Sequence, residues 1–171
     1  AVVEFCYGPS AIAVFTGHEG ATLYEVAMQG VEPGKWQGID LVPMTYQTAR
    51  LVSTDQAAGV VQALARKHVL TILDAPCPHP LLPQDSIVGD WLVLADARRP
   101  DTLAGAAGLV AELQQERLTT HVVVNRKGLL DLAGMPSQLS LPDERGAERL
   151  EGRLGERVLK YLYPGLKGKA K

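Results

Sequence analysis

The stretch that most limits what this chain can become is Val69-Leu70-Thr71-Ile72-Leu73-Asp74-Ala75-Pro76. An apolar run rich in β-branched residues and free of polar alternation reads as a strand buried on both faces, the pattern of a parallel sheet covered by helices. Asp74 stands at its carboxyl end, where open α/β sheets place their ligands. Pro76 has no N–H and cannot extend a central strand, so the chain turns there. A single Asp at such a mouth suits a magnesium-bound water beside a phosphate, and the plainer reading is that it caps the following turn.

Around this run, short apolar segments alternate with helical patterns. Ala1–Cys6, Ile39–Val42, Trp91–Ala95, His121–Val124 and Gln138–Leu141 read as strands, the third and fourth of them buried. Ala11–Phe15 is ambiguous between helix and strand, and Val31–Gly38, with Pro33 and its glycines, reads as loop. Thr22 caps a predicted helix through Gln29, with Glu25 completing a capping box. Ser53 or Thr54 opens a helix through Lys67 with Ala57, Val60, Val61, Leu64 and Ala65 inward. Asp101 or Thr102 opens another through Gln115, with Leu103, Ala107, Val110 and Leu113 inward, and Glu144–Leu162 reads as a long final helix. Pro76–Pro83 is a proline-rich loop and Asp85–Val88 a single helical turn. Strand–helix alternation of this kind is the signature of a doubly wound α/β sheet. The expectation is one domain over residues 1–163 and a basic tail over 164–171.

Composition narrows the function. With 171 residues, 46% hydrophobic and 21% charged, the chain is globular, and its net charge of −2 gives no electrostatic case for nucleic acid as a bulk partner. Cys6 and Cys77 are too few for a disulfide scaffold and fit a reducing cytosol. No apolar run approaches a membrane span, which places the expected location in the cytoplasm or at a membrane periphery. Ala1 already lies in a strand-like run, and this reads as a truncated start.

The strand ends form a series: Glu4-Phe5-Cys6-Tyr7-Gly8; Gly38-Ile39-Asp40-Leu41-Val42-Pro43; Ile72-Leu73-Asp74-Ala75-Pro76; Leu92–Ala95 followed by Arg99-Pro100-Asp101-Thr102-Leu103; Val122-Val123-Val124-Asn125-Arg126; and Leu141-Pro142-Asp143. In order and separation this series resembles the MinD/ParA family of deviant Walker ATPases, within the P-loop NTPases, with the pilus-assembly and polar-localisation CpaE/TadZ-like members as the nearest flavour. The resemblance implies a mainly parallel, Rossmann-like three-layer α/β/α sheet. It makes Asp74 the Walker-B-like acid, holding magnesium through water when nucleotide binds, and Glu4 the first acid of an acid-x-acid pair. It makes Asn125 an adenine contact with Arg126 beside it, and Pro142 and Asp143 the closing wall of the base pocket. Asp74, Asn125 and Pro142 are therefore expected at the sheet's carboxyl edge.

Two departures weigh against hydrolysis. The family's phosphate loop has no counterpart here: Thr16-Gly17-His18-Glu19-Gly20-Ala21-Thr22 has glycines but no lysine, and Glu19 repels phosphate. Cys6 stands where the family has its second acid. The resemblance thus implies a pseudo-ATPase that helps position or regulate a larger assembly, of pilus, secretion, polarity or division type. Its expected partners are itself or a related ATPase as a dimer, and the proteins of that assembly. No cofactor is expected of this chain alone, and ATP and magnesium are expected if an upstream segment supplies the loop. Two alternatives stay open, a fragment of a competent ATPase and a flavodoxin- or receiver-like binding module. Cys77-Pro78-His79 with His68 and His121 matches no standard zinc spacing, and Cys77 lacks a partner pattern for a nucleophile. Arg98-Arg99 reads as a solvated pair. Leu150–Leu162 with Lys167, Lys169 and Lys171 reads as a packing helix and solvated tail rather than a membrane-surface helix.

Overall fold

A computed structural model describes residues 1–6, 8–17, 20–76, 81, 89–96, 99–127 and 139–142, with backbone alone for 125–127 and 139–142. They belong to two compact units, Ala1–Val88 and Gly89–Lys171.

The first unit runs β1 (Val2–Glu4), α1 (Ala11–Thr16), α2 (Leu23–Gln29), β2 (Gly34–Trp36), β3 (Ile39–Val42), α3 (Tyr46–Ala49), α4 (Thr54–Lys67), β4 (Ile72–Asp74). Its strands form one sheet in the order β2-β3-β1-β4. β1 is parallel to β3 and β4, and β2 is antiparallel to β3. The Val31–Gly38 segment read as loop therefore hides a strand. Pro33 just precedes it, and Gln37 and Gly38 both adopt positive φ, 49° and 81°, which closes a two-residue hairpin turn suited to strand twist.

Helix starts follow the sequence closely. Thr22 and Glu25 form the expected reciprocal cap of α2, and Ser53 and Gln56 do the same for α4. Ala57, Val60, Val61 and Leu64 make the buried stripe of α4. Ala65, expected inward, is exposed, because one step past Leu64 turns it off that stripe. The core gathers Val3, Phe5, Leu23, Val42 and Met44, all essentially inaccessible. The strands buried on both faces are β1 and β3, the two inside the order, where Val3 and Glu4 of β1 and Leu41 and Val42 of β3 point opposite ways and are all buried. This corrects the reading of Val69–Asp74. β4 lies at the sheet's edge, Ile72 is 48% exposed and Val69 fully so. An apolar run reports hydrophobicity, not a place in the strand order.

The second unit runs β5 (Asp90–Asp96), α5 (Pro100–Gln115), β6 (Thr119–Lys127), β7 (Leu139–Pro142), with all three strands parallel in the order β5-β6-β7. One face of β5 and β6 packs Val93, Ala95, Val122 and Val124 on Ala106 and Leu113 of α5, with Leu103 and Val110 beside them. Ala107, expected inward, is exposed, and Ala106 takes that place. β5 was expected buried throughout, yet Leu94 on its other face is 64% exposed. Arg99, not Asp101 or Thr102, is the N-cap residue of α5, because Pro100 fits the first helical position, where its missing N–H costs nothing. Among the described residues no helix is long and apolar enough to cross a membrane.

Candidate functional site

The carboxyl ends of β1 and β4 bring two sequence-predicted acids together. Glu4 and Asp74 are direct partners in the parallel register, and the Phe5 N–H donates to the Asp74 carbonyl at 2.8 Å. Parallel partners project to the same face of a sheet, so the two carboxyls sit side by side.

Glu4 is 3% exposed. Its Oε1 accepts the N–H groups of Ala11 at 2.8 Å and Ile12 at 3.2 Å, which otherwise have no partner at the start of α1. Ser10 caps the same turn, taking the Ala13 N–H at 2.9 Å. One oxygen of the expected catalytic acid thus holds the loop after β1. The other, Oε2, is buried and has no hydrogen-bond partner among the described residues. Burial first, and the Glu4 charge second, push the Asp74 carboxyl above its ordinary range. Among the described residues no cationic side chain forms an ion pair with either acid.

Cys6, at the position of the family's second acid, does not supply a charge. Its Sγ lies 3.1 Å from the Met44 carbonyl and 3.2 Å from that of Gly8. Burial chiefly, with Glu4 and Asp74 adding to it, pushes the thiol up and keeps it protonated. Cys6 therefore braces the loop after β1 against the loop after β3.

The acids fit a hydrated divalent cation: a solvent-reachable Asp74 carboxyl to bind its water, and a buried Glu4 oxygen without a partner among the described residues to accept from another. Among the described residues no cluster of three or more His, Cys, Asp or Glu offers a direct metal cage. Among the described residues near these acids, the backbone is used otherwise. In the segment read as a failed phosphate loop, Gly17 is the left-handed C-cap of α1 and Thr22 caps α2, so the described part is spent on helix ends.

The residues expected around adenine lie in the second unit. Asn125 and Arg126 are in β6, where Asn125 is in register with Asp96, and Pro142 ends β7 in register with Lys127. Asp143 lies outside the described residues, as do Tyr7, Cys77, His79, Arg98, the Asp85–Val88 turn, the 144–162 helix and the basic tail. His68 has a different partner: its Nε2 is 2.9 Å from Oδ2 of the buried Asp40, tying the end of α4 to β3. That pair was invisible in sequence, since 28 residues separate its members. Thr102 was also missed in its actual role. Its hydroxyl accepts the Asp96 N–H at 3.2 Å and lies 2.9 Å from the Arg99 carbonyl, closing the turn after β5.

Neither a protein-family model nor a curated protein sequence matches this chain. A solved structure does: a ParA family ATPase from Chlorobium tepidum TLS, with a TM-score of 0.64 and 13% identity over 96% of this chain and 78% of that one. The chain has a ParA-like ATPase fold. At that identity the likeness establishes the α/β, P-loop-like architecture, and the chemistry has to be argued from the residues.

Proposed function

We propose that this ATPase-fold domain works as a pseudo-ATPase that positions or regulates a larger protein assembly, rather than as a hydrolase in its own right. The observation that carries this reading is the divided state of the strand ends. The acid pair of β1 and β4 suits a cation, while the described residues near it offer no lysine and no free N–H cradle for phosphates. Phosphoryl transfer depends on that cradle to neutralise charge in the transition state, and its loss removes several orders of magnitude in rate. On this reading, Asp74 holds magnesium through water, and Asn125, Arg126, Pro142 and Asp143 keep the base-binding roles that the resemblance implies. The partners are a second copy or a related ATPase, together with the proteins of the assembly.

The test is a turnover measurement on this chain with ATP and magnesium, beside Asp74→Ala. The expected result is phosphate release no faster than in buffer for both. Turnover in the wild type that vanishes in Asp74→Ala overturns the reading in favour of a competent ATPase.

A further inference from the structure

Helices α2 and α4 pack side by side, and an open groove of about 380 Å³ runs between them, floored by Val26, Val60 and Leu64. At one end Lys67 and Glu32 pair at 3.4 Å. At the other, Gln56 does two things at once. Its Oε1 accepts the Ser53 N–H at 2.8 Å, which is half of the α4 capping box, and its Nε2 donates to Sδ of Met28 on α2 at 2.9 Å. One amide therefore joins the cap of α4 to a thioether on the neighbouring helix. Met28 is 48% exposed, whereas Met44 is 1% exposed in the core.

We propose that Met28 is an oxidation site whose conversion to the sulfoxide releases the capping box of α4 through Gln56. A peroxide supplies the oxygen: the sulfur gives up two electrons, the O–O bond breaks, an S–O bond forms, and water leaves. This uses a sulfur lone pair and moves the acceptor strength onto an oxygen that projects from the sulfur. That oxygen occupies space beside the sulfur that the Gln56 amide now holds. Gln56 must turn to follow it, and Oε1 then leaves the Ser53 N–H. A capping box that loses its return bond frays in its first turn. Thiol-dependent sulfoxide reduction restores the thioether, so the device is reversible. Met28, the half-exposed residue, is the reactive one because access governs thioether oxidation, and the buried Met44 serves as an internal control.

The experiment treats the whole chain with hydrogen peroxide and follows sulfoxide by peptide mass spectrometry and first-turn α4 amides by hydrogen exchange. Met28 is expected to oxidise at least tenfold faster than Met44, and exchange over residues 53–57 to quicken several-fold as it does. Gln56→Glu keeps the acceptor for Ser53 and removes the donor to sulfur, so its first-turn exchange is expected to ignore peroxide. Met28→Leu is expected to do the same. Unchanged exchange in fully oxidised wild type, or an equal response in Gln56→Glu, overturns the proposal.

Discussion

The two units tie down the loop after their leading strand in different ways. In the first, a buried carboxylate does it: Glu4 Oε1 takes two N–H groups from the start of α1. In the second, a hydroxyl does it: Thr102 of α5 closes on the backbone of Asp96 and Arg99. Both loops end in a helix start, and both ties satisfy backbone groups that would otherwise be unpaired. The difference lies in what is left over. The neutral tie leaves nothing unsatisfied on its own oxygen. The charged tie leaves a second oxygen buried, without a partner among the described residues, beside a second acid. Burying charge without compensation is expensive, and proteins keep such arrangements mostly where a ligand supplies the missing partner. The comparison is what supports the β1–β4 end as the place of the proposed cation.

The largest effect expected from breaking this contrast is at Glu4. Glu4→Ala strands the Ala11 and Ile12 N–H groups, for a loss of about 2–3 kcal/mol in urea unfolding. Glu4→Gln keeps an acceptor for those amides and removes the uncompensated charge, so its change is expected within about 1 kcal/mol. If Gln proves as damaging as Ala, the α1 start needs the negative charge itself, and the leftover oxygen is no sign of a ligand.

Thr102 should give a smaller effect. Thr102→Val deletes the hydroxyl that bridges Asp96 and Arg99 while keeping the side chain's shape, for an expected loss of about 1 kcal/mol. Thr102→Ser is expected to retain most of that stability. A Val variant as stable as wild type makes the second tie dispensable, and the contrast between the units then rests on Glu4 alone.

How far this was legible in sequence depends on the range of the interaction. The caps of α2 and α4, Thr22 with Glu25 and Ser53, were readable because capping is a contact within one turn. The parallel α/β character was readable from strand–helix alternation. The adjacency of Glu4 and Asp74 was only implied by family resemblance, since 70 positions of sequence carry no direct trace of register. Sheet position was misread for the same reason: Val69–Asp74 and Glu4's own strand are both apolar, and only the order β2-β3-β1-β4 decides which is central. The double role of Gln56 was not read at all: the sequence points only to Ser53 or Thr54 as the cap, and the return bond of Gln56 and its bond to Met28 come from the structure.

The smallest expected effect is at Asp74, and it separates a functional acid from a turn cap. Burial, and then Glu4, raise the Asp74 carboxyl in the folded chain. The folded state therefore holds that proton at pH values where the unfolded chain, titrating near about 3.9, has released it. The stabilisation this gives is fully present below the unfolded value and is lost as pH rises through the raised folded value. At neutral pH the ionised Asp74 is thus a burden on the fold, and Asp74→Asn removes it. The expected gain at pH 7.5 is only about 0.5 kcal/mol, because solvent screens this partly exposed group, and it shrinks toward zero as pH falls to 4. Repeating the series in Glu4→Gln should reduce the gain, since Glu4 is the second cause of the shift. Adding magnesium to the wild type should reduce it too if a cation relieves the pair. Unfolding curves from pH 4 to 7.5 for the wild type and both variants decide the matter. An Asp74→Asn chain less stable than wild type at pH 7.5 would mean that the carboxylate earns its place by capping the turn before Pro76, and the site would lose its second acid.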